Sequence, residues 1–97
     1  MVGRSVQIVK AVVTVLGKDR VGIIASISRI LSQANVNILD ITQTTMQDLF
    51  TMTMLTDMTA ANTAFNVLSD RLEAAGKGMG LYVKIQHEDI FNTMHRI

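Results

Sequence analysis

The 97-residue chain has no cysteine, no proline and no tryptophan, and aromatics make up only 4% of it. Without cysteine there is no disulfide, no zinc ribbon and no thiol nucleophile. So little aromatic surface leaves the core to aliphatic residues and the 7 methionines, whose flexible thioethers fill irregular gaps. Excess charge of one sign is missing too: 9 basic and 8 acidic residues give a net charge of +1. No basic face for nucleic acid is expected, and the composition gives no reason to propose a membrane surface. No run is both long and apolar enough to span a bilayer. The opening MVGRSVQIVKAVV is interrupted by Gln7 and Lys10, which does not suit a secretory signal. The expectation is a cytoplasmic protein with one small domain over residues 10–97, preceded by an extension over residues 1–9.

What is present is a clear alternation of patterns. Ala11 to Leu16 (AVVTVL) is short, rich in β-branched residues and followed by Gly17, so it predicts a buried strand. Ile23, Ile24, Ile27, Ile30, Leu31 and Ala34 recur at helical spacing, with Asp19 placed to cap the start and Asn35 placed for a left-handed end. Val36 to Gln47 is rich in Ile and Thr and predicts a second strand. Gln47-Asp48 is a plausible turn into FTMTMLT, where Phe50, Met52 and Met54 alternate with Thr51, Thr53 and Leu55. Asp57 or Thr59 is placed to cap a second helix, with Ala61, Phe65, Leu68, Leu72 and Ala75 on one face and GKGMG ending it. Leu81, Val83 and Ile85 alternate with Tyr82, Lys84 and Gln86 as a fourth strand. EDIFNTMHRI predicts a short helical tail docking through Ile90, Phe91 and Met94.

The order β-α-β-β-α-β, with right-handed crossovers, predicts an α+β ferredoxin-like sandwich: a four-stranded antiparallel sheet with two helices on one face. The opposite sheet face and the edge of the second strand would then be uncovered in a monomer and open to a partner.

The segment LGKDRVGIIASI carries the most chemistry. Gly17 and Gly22 have the glycine spacing of a P-loop, but Ile23-Ile24 stand where that motif needs Lys and Ser or Thr. A dinucleotide fingerprint fails for want of a third glycine. What remains is a loop entering a helix N-terminus, whose free N–H groups suit an anion. The plainer alternative is that Gly17 ends a strand and Gly22 lets the helix pack closely. Asn37 opens the second strand at the other end of the sheet, so it need not reach its own loop; it could approach the loop of a second copy if two subunits pair along that strand. His87, Glu88, Asp89 and His95 form a polar cluster best read as a solvated strand end. No nucleophile–base pair stands out, so an enzyme is not expected; a phosphatase-like use of Arg20 and Asn37 lacks a run of donors around a phosphate.

Taken together, GKDRVGIIASISRILSQANVNILDI resembles the signature of the ACT domain, a small regulatory module. The family pattern of Asp-Arg, usually Pro, then Gly, an amphipathic helix and a Val-Asn-Ile strand entry is matched by Asp19, Arg20, Gly22, Val36, Asn37 and Ile38. Val21 stands where the family prefers proline, which makes the loop less rigid and adds an N–H. The ending IQHEDIFNTMHRI is similar to small stand-alone prokaryotic ACT proteins and to the ACT repeats of the glycine cleavage system repressor. The resemblance implies a non-catalytic protein that binds a small amino acid between subunits. Asp19, Arg20, Val21, Gly22 and Ile23 would come from one subunit, Asn37 and Ile38 from the other. It implies a homodimer or higher oligomer, a regulatory protein partner and no cofactor. A pairing module without ligand is the alternative.

Overall fold

The alternation around Phe50–Leu55 decides which side of the sheet is inside. A computed structural model describes residues 8–94. They form β1 (Lys10–Lys18), α1 (Ile23–Gln33), β2 (Asn37–Met46), β3 (Leu49–Asp57), α2 (Phe65–Gly78), β4 (Leu81–His87) and α3 (Glu88–Met94). The sheet runs β2-β3-β1-β4, every neighbouring pair antiparallel. This is the expected ferredoxin-like sandwich, with α3 appended.

Register turns the pattern into a core. Val13 lies between Met54 and Ile85, and Val15 between Met52 and Val83. All six are buried, and Ile27 and Leu31 of α1 and Leu68 and Leu72 of α2 pack into the same cluster. Thr56 is the one buried polar side chain among the described residues. Its hydroxyl donates to the Ala11 carbonyl at 2.8 Å, so no donor is stranded. Of the methionines, Met52, Met54 and Met58 fill the core as expected, but Met46 at the hairpin is 67% exposed.

α1 ends as its sequence predicts. Asn35 has φ 58°, Val36 N donates to Leu31 O and Asn35 N to Ser32 O, which satisfies the last carbonyls. The α1 end is held against the β3–α2 connection, where Asn35 Nδ2 donates to Ala60 O and Asn62 Nδ2 to Gln33 O. Both expected N-caps are corrected. Gly22, not Asp19, occupies the N-cap of α1. Asp57 and Thr59 do not cap α2, which starts at Phe65 after Ala64. Asp57 instead accepts the Thr59 N–H at 2.9 Å, and Thr59 Oγ1 accepts the Val9 N–H. Ala61 precedes α2, although it packs on the core.

The two loop glycines exchange the roles the plainer alternative assigned them. Gly17 does not end β1, which continues to Lys18. A Cβ on Gly17 would stand 2.6 Å from Leu81 Cδ2, whereas nothing lies within 4 Å of one on Gly22. Gly17 is thus a packing glycine, and Gly22, at φ 94°, a conformational one.

The opposite sheet face is not wholly bare. α3 packs on β1 and β4, and Phe91 borders a hollow with Val12, Thr53 and Leu55. Val12 is buried there. Ile90, expected to dock, is 52% exposed instead. The side chain of Met94 and residues 95–97, including His95, lie outside the described residues.

Gly76 sets how closely α2 approaches β4. A Cβ there would lie 2.5 Å from Val83 Cγ2 and 3.0 Å from the Leu81 carbonyl. Gly76→Ala is expected to cost about 1–3 kcal/mol through overpacking. Gly78→Ala, with open space around it, should be neutral or stabilising by about 0.5 kcal/mol. Paired urea melts of the two variants check this. The carboxyl of Asp57 lies below its ordinary value of 3.8, chiefly through the Thr59 side-chain and backbone hydrogen bonds. Folding therefore favours its ionised form. That small contribution is present above the ordinary value and disappears as pH falls through the lowered one. Asp57→Ala should flatten the acid limb of the Tm–pH profile below about pH 4.

Candidate functional site

β1 is hydrogen-bonded on both sides up to its end, where Lys18 pairs with Leu49 and Gly17 with Leu81. The chain leaves this double pairing at Asp19, whose N–H donates to Asp48 O in the β2–β3 turn at 3.1 Å. Gln47 in that turn takes φ 57°, which lets a two-residue connection close without the usual Asn-Gly pair. On the other side, Arg20 Nη1 donates to Met79 O at 3.3 Å, at the C-cap of α2. The loop is therefore tied to the β2–β3 hairpin by its backbone and to α2 by a side chain.

The start of α1 is bare. Gly22 has no side chain to cap it, and the first turn holds no acidic residue. The first helical bond runs from Ser26 N to Gly22 O at 2.9 Å. The N–H groups of Ile23, Ile24 and Ala25 have no acceptor among the described residues. Helix N-termini ordinarily receive a Ser, Thr, Asp or Asn oxygen at this point. Here the donors and the positive end of the helix dipole face open space.

That space is a cleft of about 700 Å³, bounded by Asp19–Ala25 on one side and by Gln43, Thr45 and Phe50 on the other. Asp19, Arg20, Val21, Gly22 and Ile23, all expected from the sequence, line it. Their parts differ. Ile23 is buried and forms the floor with Phe50, whereas the Val21 side chain is 98% exposed and packs on nothing. Asn37 and Ile38 do not reach this cleft. They border a separate hollow of about 310 Å³ with Ser28, Ser32, Asn35 and Val36, at the other end of α1. The register gives the reason. Asn37 aligns with Asp57 and Lys10 at one end of the sheet, and Met46 with Leu49 and Lys18 at the other. The nine steps between Asn37 and Met46 span roughly 30 Å of strand.

Gln43, Thr45 and Phe50 were not among the expected site residues. The position of Gln43 and Thr45 depends on an irregularity in β2 between Ile38 and Asp40. Ile38 pairs with Thr56 on the helix-facing side, but after the extra residue Leu39 it is Ile41, Gln43 and Thr45 that take that side. Strict alternation from Ile38 would put Asp40, Thr42 and Thr44 there instead. Elsewhere, the His87 ring stacks on Phe65 with centroids 4.2 Å apart and an 18° interplanar angle, so it belongs to the packing between β4 and α2.

The comparisons with known proteins agree with this architecture. The ACT domain family matches residues 10–86. A UPF0237 protein of Clostridium acetobutylicum is 51% identical over 88 residues, 91% of this chain and 99% of that one. The solved ACT domain protein from Streptococcus pneumoniae superposes with a TM-score of 0.75 at 34% identity, covering 88% of this chain and 96% of that one. A structure described as a glycine cleavage system transcriptional repressor superposes with a TM-score of 0.71 at 25% identity, over 82% of this chain and 46% of the repressor. No helix among the described residues is long and apolar enough to cross a membrane. The chain belongs to the ACT domain family, a family of regulatory, ligand-binding modules.

Proposed function

We propose that the protein is a non-catalytic sensor that binds a small free amino acid between two copies of itself and passes that state to a partner protein in the cytoplasm. The observation that carries this is the uncapped start of α1: three N–H groups without acceptors, in a cleft, with no acidic residue in the first turn. These donors suit an α-carboxylate. The Asp19 carboxylate, on the rim of the same cleft, suits the α-ammonium group. Arg20 serves by holding the loop on Met79 O.

The second copy enters through β2. Only Ile38 of this strand is even partly buried, and its outer edge is unpaired. From Ile41 to Met46 the strand carries no charge and no proline, so it lacks the usual protection of an open edge. β4, the other open edge, carries Lys84 at its centre. An antiparallel pairing of two β2 strands about a two-fold axis puts the Asn37 end of one beside the Thr45–Met46 end of the other. The partner's Asn37 and the partner's Ile38 then close the cleft of the first copy. The same edge would also serve a ligand-free pairing module, in which case the dimer forms but no amino acid alters it.

Light scattering is expected to give a dimer or a multiple of it. In a thermal-melt panel of the proteinogenic amino acids, one present at about 100-fold above its Kd should stabilise by about 2.7 kcal/mol. No shift with any amino acid at millimolar level overturns the sensor in favour of the pairing module. Asp19→Ala and Asn37→Ala should each abolish the shift without unfolding the protein. Co-refolding the two variants should restore roughly a quarter of the wild-type binding capacity, because only mixed dimers regain one intact site. No recovery on mixing means that the site is not shared between subunits.

A further inference from the structure

We infer that the amino acid taken by this cleft has an uncharged polar side chain, a hydroxyl or an amide, read by Gln43 and Thr45; this rests on the cleft being an amino-acid site. The argument starts from the helix-facing side of the sheet. On β1, β3 and β4 that side is apolar, apart from Thr56, which is hydrogen-bonded, and His87, which is stacked on Phe65. On β2 it begins with Ile38 and Ile41 and then turns polar at Gln43 and Thr45. The change falls where the strand meets the cleft, since both residues line it opposite the start of α1. Neither the Gln43 amide nor the Thr45 hydroxyl has a hydrogen-bond partner among the described residues.

Their chemistry narrows the ligand. An amide and a hydroxyl each offer a donor and an acceptor and carry no charge. A ligand hydroxyl or amide satisfies both. An apolar side chain would strip water from Gln43 and Thr45 when the partner's strand covers the cleft, and would return nothing. A charged side chain would find no counter-charge on this wall: Asp19 and Arg20 stand on the opposite loop, and Arg20 is engaged with Met79 O.

Near-isosteric pairs test this. Isothermal titration of the wild-type dimer with L-threonine against L-valine, and with L-asparagine against L-leucine, should favour the polar member of at least one pair by about tenfold or more. Thr45→Val and Gln43→Leu, at exposed positions, should keep the melting temperature and dimer mass. Together they should bring that ratio to within about twofold. Equal affinities within both pairs on the wild type, or a preference that survives both substitutions, overturns the inference and leaves the amino-acid site standing. Absence of binding by every amino acid removes the site itself, and this inference with it.

Discussion

The site depends on β1 being paired on both sides. Its hydrogen bonds to β3 and β4 run together from Ala11 to Gly17, so the strand has no freedom to slide or tilt. Where it stops, the chain must turn, and it turns against the Asp48 carbonyl on one flank and the Met79 carbonyl on the other. A helix launched from such a fixed point keeps its N-terminus aimed at one place. The left-handed backbone at Gly22 makes the launch possible without a side chain in the way. Three N–H groups are left to whatever occupies the cleft.

The same rigid sheet separates the two halves of the motif. In a right-handed β-α-β crossover, α1 carries the chain from one end of the sheet back to the other. The Asp19–Ile23 loop and the Asn37–Ile38 strand entry therefore cannot meet within one copy, however close they stand in the sequence. In the proposed dimer, a two-fold axis beside an open edge brings them together. The uncharged stretch Ile41–Met46 and the exposure of β2 on both faces mark the edge suited to that role. In that proposal function and assembly draw on one strand, which supplies cleft residues at its C-terminal end and would reach a neighbour's cleft with its N-terminal end.

Much of the fold was legible from periodicity. The alternation through Phe50, Met52 and Met54, and that through Leu81, Val83 and Ile85, name their buried faces directly, since a strand in a two-layer sandwich buries every second side chain. Asn35 announces the end of α1 because few residues tolerate φ 58°. Capping was less legible. Asp19 and Asp57 are both of the right type and in the right neighbourhood, yet each serves elsewhere, because tertiary contacts claimed the backbone around them. Helix length was misjudged at Gly76 for a related reason. That glycine does not break α2, which runs on to Gly78; it is there because a Cβ would collide with Val83 and the Leu81 carbonyl.

The sequence by itself determined the element order, the core faces of β3 and β4, and the family. These follow from local pattern and local backbone chemistry, which short stretches of chain carry in full. Only the tertiary structure decided which residues of β2 face the start of α1. One extra residue at Leu39 shifts the alternation and turns Gln43 and Thr45, rather than Asp40, Thr42 and Thr44, toward the cleft. A bulge is a compromise between two paired strands, so it is written in neither strand alone. The distance between Asn37 and its own loop was likewise set by register across the whole sheet, which is a property of the assembled strands and not of the segment that contains both residues.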